Sequence, residues 1–444
     1  MALAFGTDGV RGRANDPLTP EFALALGRAA ARVLGAGDWC IGRDTRVSGP
    51  ILQAALAAGL ASEGARVIDL GVLPTPGVAF HSALGARPAA VISASHNLFS
   101  DNGIKLFARG GRKLDDAVEA RLEAELARPS ASGLPTGDAV GRFVTDADPL
   151  SPYTDHLLAA LEGGRLDGLR VVLDCANGAA SSAAGQVFER AGAAVEVIHA
   201  QPNGVNINDG SGSTYPASLQ QAVVAAGADA GLAFDGDADR VLAVDHTGAV
   251  VDGDHLLALC AVDLHRRSRL ADGAVVITVM TNLGFRLAMA GAGIRVVETA
   301  VGDRYVLEAL ERDGLTLGGE QSGHIIFRDV ATTGDGLLTG LRVLDLVRRS
   351  GRPLRDLAQE AMTRLPQVLR SIRVADLDGL SGATAVWSEV EAVERELGST
   401  GRVVLRSSGT EPVVRIMVEA PSQAEAEAAV ERLCTAVTSA LGPA

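Results

Sequence analysis

The stretch VVLDCANGAASSAAGQVFERAGAAVEVI, residues 171–198, decides the fold class of this chain. Residues 171–174 and 195–198 are short apolar runs that predict two strands. Between them, residues 179–191 place apolar side chains at helical spacing and predict a helix. A strand, a helix and a strand in this order are typical of α/β domains.

The same alternation continues on both sides of this stretch, upstream from about residue 20 and downstream to about residue 350. Beyond about Leu357 it gives way to a smaller α+β pattern. The predicted elements around the central stretch are helices over 22–34, 51–62, 254–266 and 303–310 and strands over 39–41, 66–70, 275–279 and 295–298.

A chain of 444 residues is longer than one hydrophobic core usually supports. We therefore predict an α/β protein with three related α/β domains of mixed sheets, plus a smaller C-terminal α+β domain, around a central cleft. The predicted domains are residues 1–147, 148–248, 249–356 and 357–444.

Composition excludes several classes of partner. The net charge is −14 and aromatic residues make up only 3%, which argues against a nucleic-acid or anionic-membrane surface. The N-terminal MALAFGTDGV does not resemble a signal peptide, and no apolar run approaches the ~18 residues that span a bilayer, so a cytoplasmic protein is predicted. Widely spaced cysteines without a CxxC pair predict neither disulfides nor a thiolate zinc site.

Residues 92–105, ISASHNLFSDNGIK, predict a loop that displays one hydroxyl for phosphoryl chemistry. Ser95 follows a predicted buried strand, so it would be a surface-loop hydroxyl that is held rigidly and faces a cleft. Lys105 is predicted to return to the same neighbourhood after a turn at 101–103, which would bring an amine near the hydroxyl. Taken alone, the pattern fits an ordinary polar strand-to-helix connection as well.

Asp235, Asp237 and Asp239 follow a second predicted buried strand and alternate with small residues. Three carboxylates at this spacing can converge on one hard cation, and Mg²⁺ is the predicted ligand. An EF-hand is excluded because Arg240 and His246 stand where Gly and Glu are required. The alternative is an acidic turn with its charges in water.

Two polar motifs predict contacts with a phosphorylated sugar. FGTDGVRG, residues 5–12, would expose backbone amides and the guanidinium of Arg11 to an anion. In LGGEQSGH, flanking glycines let Glu320, Ser322 and His324 project towards sugar hydroxyls. A lone histidine beside a strand is more often structural, so both interpretations of His324 remain open.

The strongest phosphate signal lies in the C-terminal unit. Arg406, Ser408, Gly409 and Thr410 sit between two predicted strands, with Arg415 beyond, and together they predict an anion cradle. The alternative is a hairpin turn with incidental hydroxyls. Nearer the N-terminus, Arg43, Asp44, Thr45 and Arg46 follow a short predicted strand, and a solvated ion pair is one interpretation of this segment.

Together these pieces predict phosphoryl transfer to and from Ser95. The cation would neutralise the phosphoryl oxygens, Lys105 and Arg11 would add positive charge, and the cradle would hold a second, unreacting phosphate. Because a free serine is a weak nucleophile, a preformed phosphoserine would be the working state.

FGTDGVRG, ISASHN with DNGIK, DGDADR, GGEQSGH and RSSGTEP occur in an order that resembles the α-D-phosphohexomutase family over essentially the whole chain. The resemblance implies four domains around one cleft and interconversion of glucosamine 6-phosphate and glucosamine 1-phosphate through a 1,6-bisphosphate. A hexosamine or glucose 1,6-bisphosphate would be the activator, and the product would feed amino-sugar nucleotide and cell-wall precursor synthesis. The expected partner is a small sugar phosphate, and a homodimer is possible.

The resemblance also implies roles for single residues. Ser95 would be the phosphoserine and would bind Mg²⁺ together with Asp235, Asp237 and Asp239. Three residues would take part in proton transfer, and eight others would bind the substrate. These are Lys105, Arg11 and His324 for proton transfer, and Glu320, Ser322, Arg240, Arg406, Ser408, Gly409, Thr410 and Arg415 for the substrate.

Three positions refine this resemblance. Gln321 favours glucosamine phosphates over the mannose and glucose phosphates of the alternative branch, a phosphomannomutase or phosphoglucomutase. Leu98 and Ser407 each stand where the family usually has proline, which would alter loop stiffness. Two hypotheses from other classes also remain open: a catalytically silent sugar-phosphate-binding protein and a magnesium-dependent phosphatase.

Overall fold

The computed structural model describes residues 5–6, 9–128, 133–161, 164–407 and 413–442. The chain divides into two compact units, one of Met1–Met280 with Ile294–Ala361 and one of Thr281–Gly293 with Met362–Ala444. Helices and strands alternate as the sequence predicts, and the α/β class is confirmed. The four predicted domain boundaries stay a prediction.

The first segment of the larger unit forms an eight-stranded mixed sheet with helices packed on it. Its elements are β1 (Val10–Ala14), β2 (Pro17–Leu18), α1 (Pro20–Leu34), β3 (Asp38–Arg43), α2 (Gly49–Ser62), β4 (Arg66–Val72), α3 (Thr75–Leu84), β5 (Ala89–Ile92), β6 (Asp101–Ala108), β7 (Arg112–Lys113), α4 (Asp116–Leu126) and β8 (Arg142–Thr145). The strand order is β2-β1-β6-β5-β3-β4-β8, and β7 pairs with β6.

Strand β6 is where the structure differs from the sequence expectation. Residues 101–103, predicted as a turn, are the first residues of β6, and they pair antiparallel with β1. Strand β1 itself contains Arg11, which was predicted to lie in a glycine-rich run that exposes its guanidinium to an anion. Gly103 permits this pairing, because a Cβ built there would lie 2.5 Å from the carbonyl oxygen of Ser93.

The second segment forms a five-stranded sheet in the order β10-β9-β11-β12-β13. Its elements are α5 (Leu150–Ala159), β9 (Arg170–Asp174), α6 (Ala184–Ala191), β10 (Ala194–Ile198), α7 (Ala217–Ala226), β11 (Ala230–Phe234), β12 (Val241–Asp245) and β13 (Val250–Val251). β9 pairs in parallel with β10 and β11, as expected for the predicted strand–helix–strand unit. The predicted helix 179–191 begins with a short 3-10 turn at Ala179–Ser182, so α6 itself is shorter.

The third segment carries a four-stranded sheet in the order β15-β14-β16-β17. Its elements are α8 (Gly253–Arg266), β14 (Ala274–Thr278), α9 (Leu283–Gly291), β15 (Arg295–Thr299), α10 (Asp303–Arg312), β16 (Leu317–Gly319), β17 (Ile325–Phe327), α11 (Gly336–Ser350) and α12 (Leu354–Ala361). Of these, α9 lies in the smaller unit. Asp335 caps α11, since its carboxylate accepts the backbone N–H of Leu338.

The smaller unit contains an antiparallel sheet in the order β18-β20-β19. Its further elements are β18 (Gln367–Arg373), α13 (Thr384–Leu397), β19 (Arg402–Ser407), β20 (Val413–Glu419) and α14 (Gln423–Leu441). Val414, Ile416 and Val418 of the central strand pack under these helices and form the core of the unit. In the described part of the chain, no helix combines the length and apolar composition required to cross a bilayer.

Candidate active site

Ser95 lies in the loop between β5 and β6, in a left-handed backbone conformation with φ of 52°. Its hydroxyl donates a hydrogen bond of 2.6 Å to Oδ2 of Asp235. The side chain is buried, with 0% of its surface exposed, so the prediction that this hydroxyl lies on a surface loop is wrong. Asp235 lies in the loop after β11, so the Ser95 hydroxyl donates its hydrogen bond to a carboxylate of that loop and not to water.

A buried network holds the Ser95 loop in place. The hydroxyl of Ser93 accepts the Ser95 N–H at 2.9 Å and donates to Asp44 at 2.7 Å. Asp44 in turn pairs with Arg46 at 2.8 Å, and both side chains are 0% exposed, so this ion pair is buried and not solvated. The Arg46 guanidinium also donates to four carbonyl oxygens, those of Ser95, Asn97, Leu98 and Asp101.

The acidic triplet occupies the turn between β11 and β12. Asp235, Asp237 and Asp239 each offer one oxygen within 4.8 Å of the others, and all three side chains are buried. Burial, followed by the negative charges of Asp239 and Asp237, raises the pKa of Asp235 well above its ordinary value. Gly236 brings this turn against the Ser95 loop, since a Cβ there would lie 2.5 Å from the Ser95 carbonyl oxygen.

Lys105, predicted to lie near the Ser95 hydroxyl, contacts two members of the triplet. Its Nζ lies 2.9 Å from Oδ2 of Asp237 and 3.3 Å from Oδ2 of Asp239. The same Oδ2 of Asp237 accepts the hydroxyl of Thr75 at 2.6 Å. Oδ1 of Asp237 is buried and has no hydrogen-bond partner among the described residues. Three clustered oxygen ligands with unused acceptor capacity fit Mg²⁺.

Arg240 and Arg11 supply positive charge to the surroundings of His96, the residue that follows Ser95. Arg240 donates through Nη1 to Nδ1 of His96 at 3.2 Å, and this ring nitrogen lies 3.4 Å from the Ser95 hydroxyl. Burial, followed by the charges of Arg240 and Arg11, lowers the pKa of His96 to about 4. A histidine with this pKa is neutral at pH 7, so His96 acts as a hydrogen-bond acceptor for Arg240.

The predicted sugar-binding residues lie in the turn between β16 and β17. This turn packs against the strand that follows the triplet, because the N–H of Val241 donates to the carbonyl of Gly323. Glu320 accepts the N–H of Gly302 at 3.1 Å, and Ser322 is exposed to solvent. The turn therefore lies beside the strand that follows the acidic triplet, and the exposed hydroxyl of Ser322 is available to a ligand.

His324 is placed differently from the other predicted catalytic residues. Its ring is 1% exposed, and its Nε2 accepts the N–H of Gly334 at 3.2 Å and lies 3.4 Å from a carboxylate oxygen of Asp303. Among the described residues, its hydrogen bonds do not reach Ser95. This geometry favours the structural interpretation left open above.

Arg406 and Arg415 lie in the smaller unit, on β19 and β20. They are directly opposite each other in the antiparallel pair. Like charges at such positions repel, and an anion bound between them would remove the repulsion. Ser408, Gly409 and Thr410, predicted to complete the cradle, lie outside the described residues.

Sequence patterns did not identify three residues that hold the site. Asn208 donates to the carbonyl oxygens of Ser95 and Asn97, Arg46 braces the same loop, and Thr75 holds Asp237. Arg46 did have a signal in the sequence, because it belongs to the charged segment GRDTR, residues 42–46, which begins at the end of a buried strand. Thr75 and Asn208 gave no local signal, since each acts on a residue far away in the sequence.

Known proteins match this chain along its whole length. Four family profiles match in order: Phosphoglucomutase/phosphomannomutase alpha/beta/alpha domain I over residues 2–132, domain II over 151–248, domain III over 252–365 and the C-terminal domain over 369–436. A protein of Frankia casuarinae named phosphoglucosamine mutase is 54% identical, with 100% of both chains covered. One with the same name from Streptomyces coelicolor is 53% identical, again over 100% of each chain.

A solved structure shares the fold. The phosphoglucomutase/phosphomannomutase family protein of Burkholderia thailandensis superposes with a TM-score of 0.82 and 26% identity, and the match covers 99% of this chain and 97% of that one. The profiles, the relatives and this structure agree with the family inferred from the motifs. The chain therefore belongs to the phosphoglucomutase/phosphomannomutase family.

Proposed function

We propose that this protein interconverts glucosamine 6-phosphate and glucosamine 1-phosphate, with Ser95 as the residue that carries the phosphoryl group. The observation that carries the proposal is the 2.6 Å hydrogen bond between the Ser95 hydroxyl and Asp235 inside a buried acidic triplet. The names of the relatives from Frankia casuarinae and Streptomyces coelicolor support glucosamine phosphate as the substrate.

Ser95, Asp235, Asp237 and Asp239 would hold Mg²⁺. The ion supplies charge neutralisation for the transferring phosphoryl group when it is bound. Oδ1 of Asp237 has no hydrogen-bond partner among the described residues, and burial together with the charges of Asp239 and Asp237 raises the pKa of Asp235. Both observations support a cation in this position.

The working enzyme carries a phosphate on Ser95. The sugar's free hydroxyl attacks the phosphorus, the bond from phosphorus to the Ser95 oxygen breaks, and a bond to the sugar oxygen forms. Lys105 and Arg11 would stabilise the charge that moves between these oxygens. The sugar hydroxyl would release its proton as it attacks, and Lys105, whose Nζ lies 2.9 Å from Asp237, would accept that proton when it is in the neutral amine form. The resulting 1,6-bisphosphate turns over and returns its other phosphoryl group to Ser95, and free bisphosphate activates unphosphorylated enzyme. The proton-transfer role of His324 stays a prediction.

Glu320 and Ser322 would bind the sugar hydroxyls, with Arg240 beside them. Arg406 and Arg415 would bind the phosphate that does not react. Ser408, Gly409 and Thr410 stay predicted partners of the same phosphate. Because the two phosphates exchange places at the bisphosphate stage, the sugar would have to bind in both orientations.

Mass spectrometry tests the carrier role directly. After incubation with glucose 1,6-bisphosphate and Mg²⁺, the purified protein should carry one phosphate on Ser95, and Ser95→Ala should carry none and lose isomer exchange. Ser211→Ala is a matched control, because Ser211 is also 0% exposed and its hydroxyl has no hydrogen-bond partner among the described residues. Normal exchange by Ser95→Ala would refute the proposal.

A comparison of sugar phosphates as substrates tests which of them the enzyme prefers. Turnover of glucosamine 6-phosphate should exceed that of mannose and glucose phosphates, measured with the same bisphosphate primer. Faster turnover of the latter would identify the alternative branch. Release of free phosphate faster than isomer exchange would instead identify a phosphatase.

A further inference from the structure

Thr75 connects the first sheet to the metal loop through two hydrogen bonds to one residue. Its N–H donates to the backbone carbonyl of Asp237 at 2.9 Å, and its hydroxyl donates to Oδ2 of Asp237 at 2.6 Å. Thr75 is the first residue of α3, lies between Pro74 and Pro76, and is buried. Proline restricts the backbone on either side, so the hydroxyl is presented from a rigid position.

These bonds divide the two oxygens of Asp237 between different tasks. Oδ2 accepts from Thr75 and lies 2.9 Å from Nζ of Lys105. Oδ1 is buried without a hydrogen-bond partner in the described part of the chain. A carboxylate anchored through one oxygen cannot rotate without breaking those bonds, and its other oxygen keeps a fixed direction.

We propose that Thr75 is a positioning residue that sets the divalent-cation affinity of the acidic triplet, by fixing Asp237 so that Oδ1 is its ligand atom. This inference rests on the proposed metal site. Partners that orient a ligand in this way typically change metal affinity by 10–100-fold when they are removed. Lys105 cannot replace Thr75, because its ammonium is shared with Asp239 and sits on a long, flexible side chain.

Mn²⁺ binding, followed by electron paramagnetic resonance, tests the proposal without relying on activity. Wild type should bind one Mn²⁺, and Asp237→Asn should abolish this binding. Thr75→Val, which has nearly the same shape but no hydroxyl, should bind about tenfold or more weakly. Thr75→Ser should restore affinity close to that of wild type. Thr154→Val is the matched control, because Thr154 is 0% exposed and its hydroxyl has no partner among the described residues.

Thermal unfolding in EDTA shows whether each variant is folded, and Thr75→Ala replaces the valine variant if that one does not fold. The Mg²⁺ concentration for half-maximal activity should rise in step with the Mn²⁺ dissociation constant, while kcat at saturating Mg²⁺ changes less. Unchanged Mn²⁺ affinity in a folded Thr75 variant would overturn the role of Thr75 alone. Absence of the Mn²⁺ site from wild type would overturn the proposed metal site as well.

Discussion

Replacing Arg46 with methionine should lower the free energy of unfolding of the larger unit more than the loss of any single surface charge does. Arg46 and Asp44 form an ion pair in which both side chains are 0% exposed. The substitution leaves the Asp44 carboxylate buried without its cation and removes the donors of four loop carbonyl groups. Removing one partner of a buried pair costs about 3–5 kcal/mol, and we expect a loss of unfolding free energy in this range.

The pH dependence of this loss has a defined sign. Burial raises the pKa of Asp44, and the charge of Arg46 is the largest factor that opposes the rise. Without Arg46 the carboxyl binds its proton more tightly in the folded state than in the unfolded state. Stability then falls as pH rises above the unfolded pKa, so Arg46→Met should lose more stability at pH 8 than at pH 5.

Urea unfolding provides the assay, and Arg43→Met provides the control. Arg43 is only half-buried and donates to Gln53 and to a backbone carbonyl, both of them neutral acceptors, so its loss should cost about 1 kcal/mol. Adding Asp44→Asn to Arg46→Met should recover part of the stability, because the uncompensated charge is removed. A loss for Arg46→Met no greater than that for Arg43→Met would refute the reasoning.

Three further predictions concern other parts of the site. Gly236→Ala should cost about 1–3 kcal/mol in urea unfolding and weaken Mn²⁺ binding, because its Cβ would meet the Ser95 carbonyl oxygen at 2.5 Å; wild-type values for both would contradict the close approach. Burial raises the pKa of Asp335 to about 6, so this group stabilises the folded state at low pH and the gain is lost as pH rises through 6. Between pH 5 and pH 7, the free energy of unfolding of wild type should therefore fall by about 1 kcal/mol more than that of Asp335→Asn. Parallel plots of unfolding free energy against pH for the two proteins would contradict this. Arg406→Gln should raise the KM for the sugar phosphate about tenfold without destabilising the smaller unit, since it also removes a repulsion from Arg415; an unchanged KM would argue against the cradle.

Local patterns predict those parts of the fold whose cause is local. Strands β9 and β10 and the helix between them follow from apolar spacing in 171–198, and the structure confirms them. Strand β1, VRGRA, contains two arginines and a glycine and has no strand signal of its own. It exists because β6, about ninety residues later, offers it an antiparallel partner, and such pairing cannot be read from a short window.

The same distinction applies to the candidate site. Asp235, Asp237 and Asp239 could be identified because their spacing and the preceding strand are contiguous in sequence. The supports of Ser95 come from distant segments and only the structure identifies them. Leu98 illustrates the difference: proline was expected there to stiffen the loop, but the carbonyl of Leu98 accepts a hydrogen bond from Arg46. The stiffness comes from a buried guanidinium, which no rule about proline predicts.

The hydrogen bonds that Ser95 makes to Asp235 and Asn208 have a consequence for synthesis of the protein. These partners follow Ser95 by 140 and 113 residues, so the ribosome has made the whole first sheet before either exists. During that interval Ser95 lacks the carboxylate that accepts its hydroxyl, and only Arg46 of the two residues that donate to its carbonyl oxygen is present. The growing polypeptide therefore lacks the hydrogen bond between Ser95 and Asp235 until the second sheet has been made.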